Sequence, residues 1–267
     1  MVQEEIVGLI PAAGLARRIS PLPCSKELLP VGFHKDSKGE LLHPKAVCRY
    51  LLERMQAAKA SKVYFVLRRG KWDIPNYLGD GKIFDMHIAY LIMDLPFGVP
   101  YTLDQAYPFI KNSKVIFGFP DIIFQPIDAF TQLIKKQAHS DSDIVLGLFP
   151  SERPQQADMI EFDKNEHIKR ISIKSDSTNL LYAWIIAVWG PAFTEFLHEY
   201  IIESKKALNR IESYDDLDSV REIFLGEVIQ DWIKKNLKID YVIFKEGNYI
   251  DIGTADDLVK VINESRL

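Results

Sequence analysis

Along the first half of the chain, short apolar runs alternate with segments whose apolar residues recur every three or four positions. EEIVGLIPA is an apolar run closed by small residues, the pattern of a buried strand. KVYFVLRRG, MHIAYLIM and SDIVLGLFP repeat it, and KVIFGFPDIIF reads as a strand that runs out into a loop. Between them, PKAVCRYLLERMQAAKA, PYTLDQAYPFI and IDAFTQLIKKQ have helical spacing, and Pro44 suits a first helical position. Leu15 to Leu42 reads as one long irregular connection punctuated by Pro21, Pro23, Pro30 and Gly32. A connection of that length in a compact domain is usually functional or mobile. The alternation over about 150 residues predicts an α/β, Rossmann-like fold. Its mixed, mainly parallel sheet is flanked by helices and offers ligands the carboxyl ends of its strands.

Beyond Pro150 the pattern changes. DMIEFDKNEHIKRISIK predicts two strands joined by a turn over Asp163 to Glu166, and LLYAWIIAVWG a further strand. PAFTEFLHEYIIESKKAL and VREIFLGEVIQDWIKKN predict amphipathic helices. IDYVIFKEGNYIDIG supplies late strands, and TADDLVKVINESRL a closing helix with Thr254 as its N-cap. With no internal repeat or linker, residues 1–267 are expected to form a single domain.

The 267 residues are 47% hydrophobic and 26% charged, ordinary for a soluble globular protein, and the net charge of −4 gives no basic surplus for nucleic acid. Cys24 and Cys48 stand outside any CxxC or zinc spacing and are expected to be reduced thiols of a cytoplasmic protein. The acidic start MVQEEIVGLIP does not resemble a signal peptide. No apolar run approaches the ~18 residues of a membrane span. His34, His43 and His87 lack a second ligand at metal spacing, and Trp72, Trp184, Trp189 and Trp232 sit in apolar patterns that read as core.

Three stretches carry candidate chemistry. In GLIPAAGLARRISPLPCSKELLPVG, small residues admit a phosphate to backbone N–H groups, while Arg17, Arg18 and Lys26 offer charge-assisted bonds to a polyphosphate. Read alone, a mobile basic loop after a strand is the alternative. In FGFPDIIF, Asp121 stands just past an apolar strand, where a carboxylate serves Mg²⁺ or merely caps a turn. In GNYIDIGTADDL, Asp251 precedes Gly253 and a helix start, where it is a second metal carboxylate or one of several acids favouring that helix N-terminus.

Together these stretches resemble sugar-1-phosphate nucleotidylyltransferases, most closely the short glucose-1-phosphate thymidylyltransferases and UTP–glucose-1-phosphate uridylyltransferases. IPAAGLARRISPLPCSKELLPV is similar to the family signature A-G-G-x-G-T-R-L-x-P followed by x-K-x-L-L-P. FPDIIF looks like its L-G-D-N segment, and YIDIGTADDL like W-x-D-x-G-T-x-x-x-L. PKAVCRYLLERMQAAKASKVYFV resembles the family's first helix and following strand, so the likeness runs in order from about residue 6 to residue 262. The chain ends soon after Asp251, so a member without the left-handed β-helix of longer relatives is expected.

The resemblance implies the nucleotide-diphospho-sugar transferase (GT-A-like) fold, with about 1–150 as the nucleotide-binding half and about 151–267 as the sugar-phosphate half. The implied substrates are an NTP and a sugar-1-phosphate, with Mg²⁺ as cofactor and neither nucleic acid nor membrane as partner; homo-oligomerisation is left open. Ala13, Gly14, Leu15, Ala16 and Arg17 would form the phosphate loop, and Met93 and Gly98 would lie by the base. Arg18 would hold the β- and γ-phosphates, Lys26 the α-phosphate, and Asp121 and Asp251 the metal. Lys174 would hold the acceptor phosphate, with Ile186 and Glu227 beside the sugar.

This chain departs from the family pattern at several of these positions. Ala16 replaces a glycine and Arg17 a threonine; Met93 or Asp94 falls where a glutamine reads the base; Ile173 and Ser175 replace the glutamate and proline of E-K-P; Ile186 replaces a glycine of the sugar pocket. Retained chemistry on an altered substrate is one expectation. A catalytically decayed ligand-binding protein of the same fold is the other.

Overall fold

The computed structural model describes residues 5–35, 38–94, 96–174, 179–208 and 221–264. The chain starts with β1 (Ile6–Ala12). After a 3₁₀ turn at Lys26–Leu28 come β2 (Pro30–Lys35), β3 (Leu42–Ala46), α1 (Val47–Ala57), β4 (Lys62–Arg68), α2 (Asp73–Leu78) and β5 (His87–Met93). Next are α3 (Val99–Asp104), α4 (Tyr107–Ile110), β6 (Lys114–Phe117), β7 (Ile122–Gln125), α5 (Ala129–Ser140) and β8 (Ile144–Pro150). The remainder comprises β9 (Asp158–Phe162), β10 (Ile168–Ile173), β11 (Tyr182–Trp189), α6 (Pro191–Leu208), α7 (Leu225–Lys234), β12 (Ile239–Ile243), β13 (Asn248–Asp251) and α8 (Ala255–Glu264).

A nine-stranded sheet forms the centre, in the order β10-β9-β11-β6-β1-β4-β5, with β8 and then β12 branching from the other edge of β11. β6, β1, β4 and β5 run parallel. β11 is antiparallel to β6, β8 and β9, which makes the sheet mixed. β1 is paired with β4 on one side and β6 on the other. The strand order therefore reverses between β1 and β6, where open α/β sheets leave a crevice beyond the strand ends.

Both sheet faces are covered. Leu51, Leu52 and Met55 of α1 pack with Phe130 and Leu133 of α5 on one face. Leu103 of α3, Phe193 of α6 and Val228 and Trp232 of α7 pack on the other. Leu225, Val228, Ile229 and Trp232 follow helical spacing and are all buried, worth roughly 1.5–3 kcal/mol for each large side chain. A satellite cluster of Leu29, Val31, Val47, Ile252 and Val261 ties the β2 region, α1 and α8 together.

Several expected elements are revised. Leu15 to Leu42 is not wholly irregular, because β2 pairs antiparallel with β3. Pro44 lies within β3, and α1 starts only at Val47. PYTLDQAYPFI splits into α3 and α4, with Pro108 in the first turn of the second. KVIFGFPDIIF divides into β6 in the large sheet and β7, which pairs with β13 in a separate two-stranded ladder. The helix expected from residue 220 begins at Leu225. Thr254 does cap α8: Asp257 donates its backbone N–H to Thr254 Oγ1 at 3.3 Å. Cys24 and Cys48 are free thiols. Trp189 and Trp232 are core, but Trp72 is 55% exposed. Among the described residues no helix is long and apolar enough to cross a membrane.

Candidate active site

A cavity of about 1010 Å³ opens beyond the carboxyl ends of β1 and β8, beside the strand-order reversal. Ala13, Gly14, Leu15, Ala16, Arg17 and Arg18 line one part of it. A Cβ built on Gly14 would meet nothing within 4 Å, so this backbone faces open space, as a phosphate cradle requires. Ala16 has φ +53°, in the left-handed region that the family pattern fills with glycine. Its carbonyl accepts from Ile19 N at 3.1 Å, Ser20 N at 3.0 Å and Ser20 Oγ at 2.9 Å, and these bonds hold the turn closed.

Alanine in this conformation costs about 1 kcal/mol, but glycine would add unfolded-chain entropy of similar size. Ala16→Gly is therefore expected to leave stability within ~0.5 kcal/mol. Ala16→Val, branched at Cβ, is expected to cost roughly 1–2 kcal/mol. Urea denaturation of both variants checks this.

The second part of the site brings together residues far apart in sequence. Lys26 Nζ forms an ion pair and hydrogen bond with Asp121 Oδ2. Asp121 immediately precedes β7 and Asp251 ends β13. The pairing of Ile122 with Asp251, and the Ile252 N–H bond to the Asp121 carbonyl at 3.0 Å, set the two carboxylates side by side. Arg18 lies against the same ladder: a Cβ on Gly253 would stand 2.8 Å from its Nη2 and 3.6 Å from Asp251 Oδ1.

Burial, then the charge of Asp121, pushes the Asp251 carboxyl up to about 7 against the pull of Lys26 and Arg18. Burial alone would lower Lys26, but Asp121, Glu27 and Asp251 hold its ammonium above the ordinary value. Behind it, buried Glu27 accepts from buried Lys71 at 2.7 Å. Ser25 is fixed by two 2.7 Å bonds, from its N–H and Oγ, to Asp73 at the start of α2. The short helix α2, which the apolar pattern does not reveal, thus anchors the residue before Lys26.

Among the described residues no group of three or more His, Cys, Asp or Glu could hold a metal. Asp121 and Asp251 are two crowded carboxyl groups, and burial followed by the charge of Asp121 disfavours ionisation of Asp251. That donor set suits Mg²⁺, which takes few protein carboxylates and completes its shell with water and phosphate oxygens.

A third grouping holds Lys174, Asp158, Trp184, Ile185 and Phe224 in the cavity wall. The Lys174 ammonium lies 4.2 Å from the centre of the Phe224 ring. Ser175 lies outside the described residues.

Three expected site residues do not line the cavity. Met93 ends β5 with its side chain in the core, 5% exposed, and Pro96 and Phe97 take the cavity wall instead. Ile186 is fully buried, packed so tightly on Gly147 that a Cβ there would come within 2.5 Å of it. The register of β11 slips between Trp184 and Ile186, so Ile185 lines the cavity in its place. Glu227 is absorbed by its own helix: Phe224 N–H donates to Glu227 Oε2 at 3.0 Å, and Arg221 pairs with Oε1. Gly98 does line the cavity, at φ +104°, but the backbone of Ile223 occupies the space its Cβ would need. Trp184 is core as read, 5% exposed, and also contributes to the cavity wall. Arg153 and Lys260 are further lining cations outside the three stretches; only the fold collects them there.

The site is thus a crevice at a strand-order reversal, lined by a small-residue loop, clustered cations and a carboxylate pair. The match of residues 7–266 to the nucleotidyl transferase family model places the chain in that family. It is 22% identical over 262 residues to the low-salt glycan biosynthesis nucleotidyltransferase Agl11 of Haloferax volcanii, covering 95% of this chain and 64% of that protein. It is 25% identical over 182 residues to the glucose-1-phosphate thymidylyltransferase of Neisseria meningitidis, covering 67% of this chain and 58% of that one. The chain thus spans less than two thirds of the length of these curated relatives. A crystal structure described as a glucose-1-phosphate thymidylyltransferase from Bacillus anthracis, in complex with a sucrose, superposes with TM-score 0.77 at 16% identity. The match covers 98% of this chain and 95% of that one. The architecture is therefore the nucleotide-diphospho-sugar transferase fold.

Proposed function

We propose that this chain transfers a nucleotidyl group from an NTP, with dTTP or UTP favoured, to a sugar-1-phosphate, giving an NDP-sugar and pyrophosphate. The observation that carries this reading is one cavity lined by Arg18, Lys26, Asp121, Asp251 and Lys174. On this reading, about 1–150 forms the nucleotide half and about 151–267 the acceptor half of one domain.

A phosphate oxygen of the sugar-1-phosphate attacks the α-phosphorus. The bond from that phosphorus to the bridging oxygen breaks, and pyrophosphate leaves with the electron pair. The nucleophile is already ionised, so the chain needs no strong base; its work is positioning and charge neutralisation. Arg18 holds the β- and γ-phosphates and stabilises the departing pyrophosphate. Lys26 neutralises charge at the α-phosphate, exchanging part of its contact with Asp121 for the phosphate. Lys174 fixes the acceptor phosphate. Mg²⁺, held by Asp121 and Asp251, would supply further neutralisation of the triphosphate.

Incubation with Mg²⁺ and a panel of NTPs against hexose-1-phosphates is expected to release pyrophosphate from at least one pair, measured by a coupled phosphate assay. Ligand-induced thermal stabilisation without release from any pair would instead mark a binding protein of the same fold.

A further inference from the structure

Asp158 begins β9, directly paired with Ile173 of β10, and its side chain stands in the cavity wall beside Lys174 and Trp184. Its partner across the ladder is apolar, and the strand itself needs no charge at this position. Asp158 Oδ1 is buried and has no hydrogen-bond partner, and the indole Nε1 of Trp184 is in the same state. The indole of Trp184 and the backbone N–H of Lys174 both help to hold the carboxylate ionised, yet neither gives Oδ1 a well-formed hydrogen bond. The other oxygen, Oδ2, lies over the start of α7, where a Cβ on Gly226 would come within 2.6 Å of it. The carboxylate fits there because residue 226 is a glycine.

Burial pushes this carboxyl up to about 6, against the opposing pull of Lys174 and Trp184. The fold thus keeps a carboxylate it does not fully satisfy, in the wall of a cavity and next to the cation assigned to the acceptor phosphate. A buried polar group left short of partners is costly to the folded chain, and a ligand donor is the economical remedy. Lys174 already supplies a cation, so the missing partner is a neutral donor, and a sugar hydroxyl has that chemistry.

We propose that Asp158 is a specificity-determining residue that accepts a hydrogen bond from a ring hydroxyl of the acceptor sugar, with Trp184 orienting the carboxylate. The inference rests on the nucleotidyl transfer reading above and assigns its acceptor-recognising carboxylate.

The test is calorimetric titration of the full chain with glucose-1-phosphate, its monodeoxy analogues and, separately, UTP with Mg²⁺. Asp158→Ala is expected to weaken glucose-1-phosphate roughly 10- to 100-fold, the value of a hydrogen bond to a charged group, and to leave UTP within about twofold. One monodeoxy analogue should bind wild type as weakly as the variant binds glucose-1-phosphate, and should bind both proteins alike. Asp158→Asn, which keeps the shape and one acceptor oxygen, is expected to restore part of the loss. Equal weakening of both ligands, or no analogue that binds both proteins alike, overturns the proposal and leaves Asp158 a structural residue. Wild type that binds UTP but no sugar-1-phosphate overturns the functional reading first, and this inference with it.

Discussion

Replacing Lys26 by alanine is expected, on the proposed function, to lower the rate of pyrophosphate release by roughly a hundred- to a thousandfold while the protein stays folded. The side chain is 19% exposed and is directed at Asp121. Its ammonium is held above its ordinary value by Asp121, Glu27 and Asp251, so it is charged throughout the neutral range. A fixed cation in a partly desolvated site is worth far more to developing phosphate charge than in water, and removing one such stabiliser typically costs that factor. The variant also leaves Asp121 and Asp251 facing each other with less compensation. Breaking a fully buried pair can cost ~3–5 kcal/mol, but this pair lies in an open cavity wall that water can enter. A loss of about 1–2 kcal/mol is expected, checked by urea denaturation alongside the turnover assay. Turnover unchanged in Lys26→Ala would remove Lys26 from the mechanism.

The second large effect separates stability from activity. Asp251→Asn is expected to lower turnover by at least a hundredfold and to stabilise the ligand-free protein above pH 7 by roughly 2 kcal/mol. That figure is about half of what the displaced pKa alone would return, because the cavity wall is open to solvent. The Asp251 carboxyl is raised from 3.8 to about 7, first by burial and then by Asp121. Between about pH 4 and pH 7 the folded chain keeps the Asp251 proton that the unfolded chain has released. The folded state therefore binds more protons there, and metal-free stability falls as pH rises through that window. The asparagine variant lacks this slope, and thermal midpoints from pH 4.5 to 8 measure it. Addition of Mg²⁺ should raise the wild-type midpoint most at the alkaline end, where both carboxylates are ionised, and move the variant much less.

The strand–helix alternation and the order of the three chemical stretches were legible because each is local. β1, β4, β5 and β8 are short apolar runs, and Arg18, Lys26, Asp121 and Asp251 stand beside turns that small residues mark. The β2–β3 hairpin was not legible. Its outer residues Phe33 and Leu42 are 62% and 65% exposed, so no alternation announces it, and it rests on Val31 packing with Val47, Ile252 and Val261. α2 is too short for its period to register. Ile186, placed beside the sugar by the resemblance alone, is buried instead, and the register slip after Trp184 carries Ile185 to the cavity. Glu227 was misplaced because a glutamate three residues into a helix first satisfies the free backbone N–H at that helix's start.

The sequence alone thus determined the α/β class and the residue types of the small-residue loop and carboxylate pair. Those follow from backbone sterics, local periodicity and the chemistry of single side chains. Only the tertiary structure decided that Asp121 and Asp251 meet on one two-stranded ladder, that Lys26 is held between Asp121 and a buried Glu27–Lys71 pair, and that Asp158 joins Lys174 and Trp184 in the cavity wall. These groupings join residues separated by up to 130 positions in the chain, as Asp121 and Asp251 are. They are fixed by strand register, the packing of α8 and the room left at Gly226, none of which any local stretch encodes.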